Sequence, residues 1–271
     1  MSGMSAIMTL MQDSARKASR NLLRDFGEVE TLQVSRKGPA DFVSRADKKA
    51  EEVIYSELSR ARPGYSFLME EAGEIVGTDR SHRFIVDPLD GTTNFLHGIP
   101  HFAISIALER DEGEGYDLVA GLVYNPATDE MFFAEKGRGA YINDGTRGGA
   151  DRRLRPSQRH DFSTCIFATG VPFLGKPGHG KFLKELHQVM GTSAGVRRLG
   201  AASLDLAWTA AGRYDGFWER GLATWDVAAG ILIAREAGLT VEGLGDNDPL
   251  HSGDIIMAND TILPILKKKV A

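Results

Sequence analysis

The sequence is poor in cysteine, with Cys165 as the single thiol among 271 residues. One thiol excludes a disulfide framework within the chain and is typical of a reducing compartment. Because no metal-ligand spacing surrounds it, we interpret Cys165 as a small buried apolar group. The cysteine count therefore favours a cytoplasmic protein.

Long hydrophobic runs are also missing, since no segment has the roughly 18 or more consecutive apolar residues of a membrane span. The N-terminal stretch lacks the basic start and the cleavage site of a signal peptide, and a charge enters at Asp13. Its apolar residues recur at helical spacing up to a stop at Gly27: Ile7, Met11, Ala15, Ala18 and Leu22. We expect an amphipathic helix here and no membrane partner.

The chain has no strong excess of either charge, with a formal net charge of -5. Nothing global therefore points to nucleic acid or to an anionic membrane. Only residues 143–160, rich in Gly and Arg, and the tail LKKK are locally basic. No aromatic residue is interleaved in 147–159 for base stacking, which favours a solvated surface loop over an RNA-binding patch.

The pattern of apolar residues predicts a mixed α+β fold with antiparallel strand pairs. A helix is expected from Ser44 to about Arg60, and successive strands follow it. The predicted strands of the first half are YSFLM, RFIVD, HFAISIALE, YDLVAGLVY, EMFFAE and GAYIN. The second half alternates more between predicted helices, such as AASLDLAWTAAG and TWDVAAGILIAREAG, and short strands.

The stretch FIVDPLDGTTNF places Asp87 and Asp90 at the end of an apolar strand, where a rigid sheet can hold them. Carboxylates are preferred ligands of Mg²⁺. Gly91 permits close backbone approach, and a helix capped by Thr92 or Thr93 would offer N–H groups to an anion. The alternative interpretation is an Asp-Pro turn followed by an ordinary capped helix.

Phosphatases that form an aspartyl-phosphate often carry D-x-D-G-T after an apolar strand. Here one extra residue separates the two aspartates, in the pattern D-P-L-D-G-T. Strand alternation would place them on opposite faces unless the turn redirects them. The spacing therefore disfavours a covalent aspartyl intermediate.

Two further acidic positions stand at the ends of predicted elements. Glu70 and Glu71 follow the strand YSFLM, and Asp226 lies in the first turn of an apolar helix that Gly238 should end. Each position also has an interpretation without a function. Glu70 and Glu71 can be solvated acids at a strand end, and Asp226 can be a carboxylate that the helix dipole favours. A carboxylate beside a buried helix, however, needs a cation or hydrogen-bond donors.

The segments MEEAG, DPLDGTTNF and WDVAAGILIAREAG, in this order, resemble the inositol monophosphatase family. GPADFVSRADKKAE and EKGRGAYIND extend the likeness over nearly the whole chain. The resemblance implies a layered αβαβα sandwich, one domain over 1–271 with approximate halves 1–145 and 146–271, and a homodimer.

The resemblance implies a lithium-sensitive phosphatase that uses Mg²⁺, about two or three ions per site, to activate a water for attack. The expected substrate is a small phosphorylated polyol, myo-inositol 1-phosphate first. Related activities toward histidinol phosphate, fructose 1,6-bisphosphate or 3'-nucleotides stay open. A binding role with the transcription machinery or nucleic acid also stays open, although the complete set of acidic residues argues against it.

The resemblance also assigns roles to single positions. The implied metal ligands are Glu70, Asp87, the Leu89 carbonyl, Asp90 and Asp226. The implied catalytic residues are Asp47, Glu70 and Thr92; the role of Asp47 requires hydrogen-bond reach of Thr92, and the alternative is an ordinary acid in the first turn of a helix. The implied substrate contacts are Asp90, Gly91, Thr92, Ala202 and Glu219. His97 and His101 are four apart, but the Gly and Pro between them argue against a zinc pair, and Arg220 stays unassigned.

Overall fold

The computed structural model describes residues 4–26, 34–38, 41–113, 115–145 and 149–271. Over this part of the chain the strands form an eight-stranded sheet, a five-stranded sheet and a two-stranded hairpin. Within the same residues, no helix has both the length and the apolar character needed to cross a membrane.

The helices of the described residues include the predicted helical segments and one further short helix, α7. They are α1 Ala6–Phe26, α2 Arg45–Ala61, α3 Thr92–Leu96, α4 His179–Met190, α5 Ala202–Ala210, α6 Thr224–Ala237, α7 Pro249–Ser252 and α8 Leu263–Lys269. The buried stripe of α1 contains Met8 rather than the expected Ile7. The predicted stop at Gly27 lies outside the described residues, as do residues 39–40 of the GPADFVSRADKKAE motif.

The larger sheet has the order β10-β9-β8-β7-β6-β5-β3-β4. Its strands are β3 Ser66–Met69, β4 Gly73–Ile75, β5 His82–Asp90, β6 Ala103–Asp111, β7 Tyr116–Asn125, β8 Glu130–Glu135, β9 Gly139–Asn143 and β10 Arg152–Arg153, while β1 Val34–Gly38 and β2 Asp41–Ser44 form the hairpin. Only the β3–β5 pair is parallel among these ladders. The predicted antiparallel character is confirmed.

The smaller sheet has the order β12-β11-β13-β15-β14. Its strands are β11 Ile166–Thr169, β12 Gly195–Arg197, β13 Gly216–Glu219, β14 Thr240–Gly243 and β15 Ile255–Ala258. Strand β13 is central and parallel to β11, so the carboxyl ends of both strands point to the same edge. That edge presents Glu219 beside Gly170, the residue after β11.

Alternating side chains separate the core into layers. Phe84 and Val86 of β5 pack with α1 and α2, whereas Ile85 faces the opposite core with α5 and α6. Phe217 of β13 joins that central core, and Trp218 turns away toward α4 and α8. The resulting order is helices, sheet, helices, sheet, helices, which confirms the predicted αβαβα sandwich.

Candidate active site

The two aspartates of FIVDPLDGTTNF are brought to the same side of β5 by a bulge. Asp87 pairs with Ser105 and Asp90 with Ala103, so three steps on β5 match two on β6. Alternate residues of a regular strand share a face, so two residues three positions apart would point to opposite faces. The extra residue of the bulge in β5 places Asp87 and Asp90 on the same face. The feature that turns both aspartates to one face is therefore a change of register inside β5 and not the turn that follows it.

Asp87 lies at the base of this group and is 2% exposed. The Leu89 N–H donates to its Oδ1 at 2.9 Å. Burial, followed by the nearby Glu70 carboxylate, raises the pKa of Asp87 well above its ordinary value. Glu70 continues the path of β3 beside β5, since its N–H donates to the Val86 carbonyl at 3.1 Å. The ends of β3 and β5 thus lie side by side, which brings Glu70 next to Asp87.

Asp90 joins the larger sheet to the start of α5. Its Oδ2 accepts from the Ser203 N–H at 2.7 Å and from the Ser203 hydroxyl, and the Ala202 N–H also donates to the carboxylate. These donors favour the charged form. Burial outweighs them and raises the pKa of Asp90 to about 6.

Asp226 is supplied by the first turn of α6, where the sequence placed it. Its Oδ2 accepts from the Ala223 N–H at 2.7 Å, which also caps the helix. Burial and the Asp90 carboxylate raise the pKa of Asp226 to about 7. Gly238 ends α6 with φ 103°, as predicted from its freedom to adopt a left-handed conformation.

Thr92 does not cap α3, and neither does Thr93, so the predicted cap is wrong. Gly91 holds the N-cap position with φ 89°, and no side chain bonds there. The Thr92 hydroxyl lies within reach of the Asp47 carboxylate at 3.0 Å and of the Leu89 carbonyl at 3.1 Å. Asp47 is therefore within the hydrogen-bond reach that its expected role requires.

A cavity of about 810 Å³ opens where these elements meet. Its lining includes these residues predicted from sequence: Glu70, Asp90, Gly91, Thr92, Ala202, Glu219 and Asp226. Asp47, Asp87 and Leu89 do not line it; Asp47 bonds to Thr92, and Asp87 to the Leu89 N–H. The predicted residues therefore gather at one place, some on the surface of the cavity and some beneath it.

Glu219 projects into the cavity because Gly170 leaves room for it. A Cβ atom on Gly170 would lie 1.7 Å from Glu219 Oε1, and the Gly170 N–H bonds to this carboxylate. Burial, with repulsion from Asp226, raises the pKa of Glu219 to about 8. The expected polyol contact is thus held in place by a neighbouring glycine.

The chemistry of the donor set fits a hard divalent cation. Burial and mutual repulsion raise the pKa of Asp87, Asp90 and Asp226 together, which is the signature of carboxylates that lack a compensating positive charge. Carboxylate and carbonyl oxygens are what Mg²⁺ prefers. Among the described residues, no three acidic, imidazole or thiol side chains already form a ready-made metal site, so the fit rests on charge and ligand type.

Sequence reasoning missed Asp205, which lies in the first turn of α5 and lines the same cavity. It is 1% exposed, and burial followed by the Glu219 carboxylate raises its pKa well above the ordinary value. The signal was present in AASLDLAWTAAG, where one acid interrupts an apolar helix. A buried carboxylate needs a partner, so this acid asks for an explanation.

Cys165, His97 and His101 do not line this cavity, whereas Arg220 does. Cys165 is buried, and burial raises the pKa of its thiol to about 11. His101 is buried with its ring edge-on to Trp208 at 5.1 Å, whereas His97 is exposed at the end of α3. Arg220 bonds to the Val270 carbonyl at 2.8 Å and lies 2.9 Å from Glu185, and so ties β13 to α4 and the C-terminal residues.

The basic segment contains arginines that the chain itself neutralises. Arg152 forms an ion pair with Asp144, and Arg159 with Asp215 at 3.2 Å. Residues 146–148, including part of the 147–159 stretch, lie outside the described residues. The described part supports the predicted surface loop over a patch of free cations.

The sequence profile of the inositol monophosphatase family matches residues 4–271, so the chain belongs to this family. It is 56% identical to the inositol-1-monophosphatase of Caulobacter vibrioides over 262 residues, which cover 96% of this chain and 99% of that protein. It is 39% identical to the Nus factor SuhB of Salmonella typhimurium over 261 residues, 96% of this chain and 94% of the other. The crystal structure of extragenic suppressor protein SuhB from Bartonella henselae has a TM-score of 0.91 at 55% identity, covering 98% of both chains.

Proposed function

We propose that this chain hydrolyses a small phosphomonoester with Mg²⁺, and that myo-inositol 1-phosphate is its substrate. The observation that supports this most strongly is that Asp90 of β5 and Asp226 of α6 line one cavity, with the buried Asp87 near enough for both carboxylates to raise its pKa. The relative from Caulobacter vibrioides, named for this activity, is 56% identical over 96% of this chain and 99% of its own.

We assign the cation to Glu70, Asp87, the Leu89 carbonyl, Asp90 and Asp226. When bound, Mg²⁺ supplies Lewis-acid chemistry that strengthens water as a nucleophile and neutralises charge on the phosphate and the leaving oxygen. The protein holds these carboxylates in place beforehand, since backbone N–H groups fix Asp87, Asp90 and Asp226. Preorganised ligands lower the cost of binding the charged substrate.

We assign proton transfer to Thr92 and Asp47. The Thr92 hydroxyl donates to Asp47 at 3.0 Å, so its oxygen can accept a proton from the attacking water as its own proton moves to the carboxylate. Gly91 and Thr92 line the cavity at the start of α3, where the first N–H groups of a helix have no partner within the helix and suit phosphate oxygens. Glu219 and Ala202 line the part of the cavity where the alcohol would lie.

Phosphate release from myo-inositol 1-phosphate tests this proposal directly. We expect turnover with Mg²⁺ and none after chelation, and more than about a hundred-fold loss in Asp87→Asn, because removing a ligand costs more than removing its support. Asp215→Asn is the matched control, since Asp215 is equally buried but bonds to Arg159 and the Ile166 N–H. Turnover without any divalent cation would contradict the mechanism.

The identity of the substrate needs a panel of phosphomonoesters. We expect the highest kcat/KM with myo-inositol 1-phosphate, lower values with histidinol phosphate, fructose 1,6-bisphosphate and 3'-adenosine monophosphate, and inhibition by lithium. A higher value with one of the others would move the assignment within the family and leave the metal chemistry intact.

A binding role with the transcription machinery is the second candidate, because a relative with 39% identity is named Nus factor SuhB. The ion pairs of Arg152 and Arg159 leave less free positive charge for such a role. Co-purification of RNA polymerase with Asp87→Asn, which lacks turnover, would show binding separate from catalysis.

The mass of the purified protein in solution tests the homodimer that the family resemblance implies.

A further inference from the structure

Asp205 has a buried oxygen that the protein leaves without a partner. The side chain lines the cavity from the first turn of α5, and its Oδ1 finds no hydrogen-bond donor in the described part of the chain. A buried acceptor without a donor costs free energy that a ligand group can restore. Such an atom in the wall of a substrate cavity points to a contact made only when the cavity is filled.

The surroundings of Asp205 define what that contact can be. The Glu219 and Asp90 carboxylates lie near enough to raise its pKa, after burial, and Arg198 opposes them. Arg198 also lowers the pKa of Glu219, so one exposed guanidinium acts on both acids. Gly200, with φ 87°, permits this position, because a Cβ there would lie 2.5 Å from Arg198 Nη1.

These charges favour a hydroxyl over a second anion at this wall. A second phosphate would meet Asp205, Glu219 and Asp90 and be repelled by them. A hydroxyl can donate to a carboxylate oxygen and accept from a guanidinium N–H at the same time.

We propose that Asp205 is a specificity-determining residue that binds one hydroxyl of the leaving alcohol, with Arg198 donating to the oxygen of the same hydroxyl. This inference rests on the proposed phosphatase function and deepens it. It adds a second polar contact beside Glu219 and makes a neutral polyol, rather than a bisphosphate, the alcohol that fits this wall.

The contact is tested by a thermodynamic cycle that combines substitutions in the enzyme with removal of single hydroxyls from the substrate. Wild type, Asp205→Asn and Arg198→Gln are assayed with myo-inositol 1-phosphate and with analogues that each lack one ring hydroxyl. We expect one analogue to lose about ten-fold in kcat/KM with wild type, the size of one hydrogen bond to a charged group. The same analogue should lose only about two- to three-fold with Asp205→Asn, because a neutral amide oxygen still accepts from the hydroxyl but binds it more weakly than a carboxylate does.

Asp215→Asn controls for the loss of a buried carboxylate and should keep the wild-type penalty for every analogue. Thermal unfolding checks that each variant is folded; if Asp205→Asn is not, Arg198→Gln carries the test on an exposed side chain. Equal penalties in wild type and variants, or no penalty for any analogue, would overturn the inference. A wild type inactive on myo-inositol 1-phosphate itself would overturn the proposed function instead.

Discussion

Gly170 and Glu219 form a pair in which a missing side chain makes room for a functional one. The glycine follows β11 and the glutamate ends β13, and the two strands are parallel neighbours. The strands bring the two residues together so closely that any Cβ on Gly170 would occupy the position of the Glu219 carboxylate.

Replacing this glycine should therefore act through Glu219. We expect Gly170→Ala to raise KM for myo-inositol 1-phosphate about ten-fold, because the displaced carboxylate loses a hydrogen bond to the polyol. In a Glu219→Ala background the same substitution should add almost no further loss, which steady-state kinetics on the four proteins will measure. Additive losses would show that Gly170 matters for another reason.

Helix α6, which carries Asp226, packs very closely against two neighbouring elements. A Cβ on Gly230 would lie 2.6 Å from Leu206 of α5, and one on Gly121 of β7 would lie 2.9 Å from the Ala229 carbonyl. Glycine thus lets α6 pack against both a helix and the larger sheet. The position of Asp226 follows from this packing rather than from its own hydrogen bonds alone.

Paired substitutions in two helices separate packing from helix propensity. Alanine favours a helix over glycine by about 1 kcal/mol, so Gly180→Ala in α4, where nothing lies within 4 Å, should be neutral or stabilising. Gly230→Ala should lower the free energy of unfolding by about 1 to 3 kcal/mol through overpacking. Urea unfolding measures both; equal effects would contradict the proposed tight contact.

The long elements were predictable because their periodic apolar residues identify them locally. The strands RFIVD and HFAISIALE and the helix ended by Gly238 are found where the sequence placed them. Strands β4, β10 and β12 have two or three residues each and exist only through their partners, so no local pattern marks them. The cap at Gly91 was missed because the Thr92 hydroxyl serves Asp47, 45 residues away.

The acidic positions at the cavity were largely predictable and their contacts were not. A resemblance of motifs pointed to Asp87, Asp90 and Asp226, but the Asp90–Ser203 bond spans 113 residues and depends on how the sheets stack. Asp205 was missed for the same reason, since its meaning comes from the cavity that it lines. Local sequence identifies such an acid, and only the fold shows what it faces.

Whole-protein stability should depend on pH through these carboxyls. In the metal-free protein the pKa is raised to about 6 for Asp90, about 7 for Asp226 and about 8 for Glu219. Each value exceeds that of the unfolded chain, about 4, so the folded state binds more protons between these values. Their contribution to stability is complete below about pH 4 and is lost as the pH rises toward 8.

Thermal unfolding with a chelator and with Mg²⁺ at several pH values checks this expectation. The stabilisation by Mg²⁺ should be larger at about pH 8 than at about pH 5, by several degrees, because the cation replaces the protons that the carboxyls lose. Glu219→Gln should reduce the dependence of thermal stability on pH, and the variant should stay folded when the chelator is present. A Mg²⁺ effect that shrinks as the pH rises would contradict this account.

Asp90 and Ser203 are 113 positions apart in the chain, so they are synthesised at different times. A ribosome adds about 5 to 20 residues per second, so the β5 carboxylates emerge roughly 6 to 23 seconds before the helix start that holds Asp90. Asp226 follows later still. The nascent chain therefore carries the acidic strand without its partners during this interval, and the cavity can form only after Asp226 has emerged.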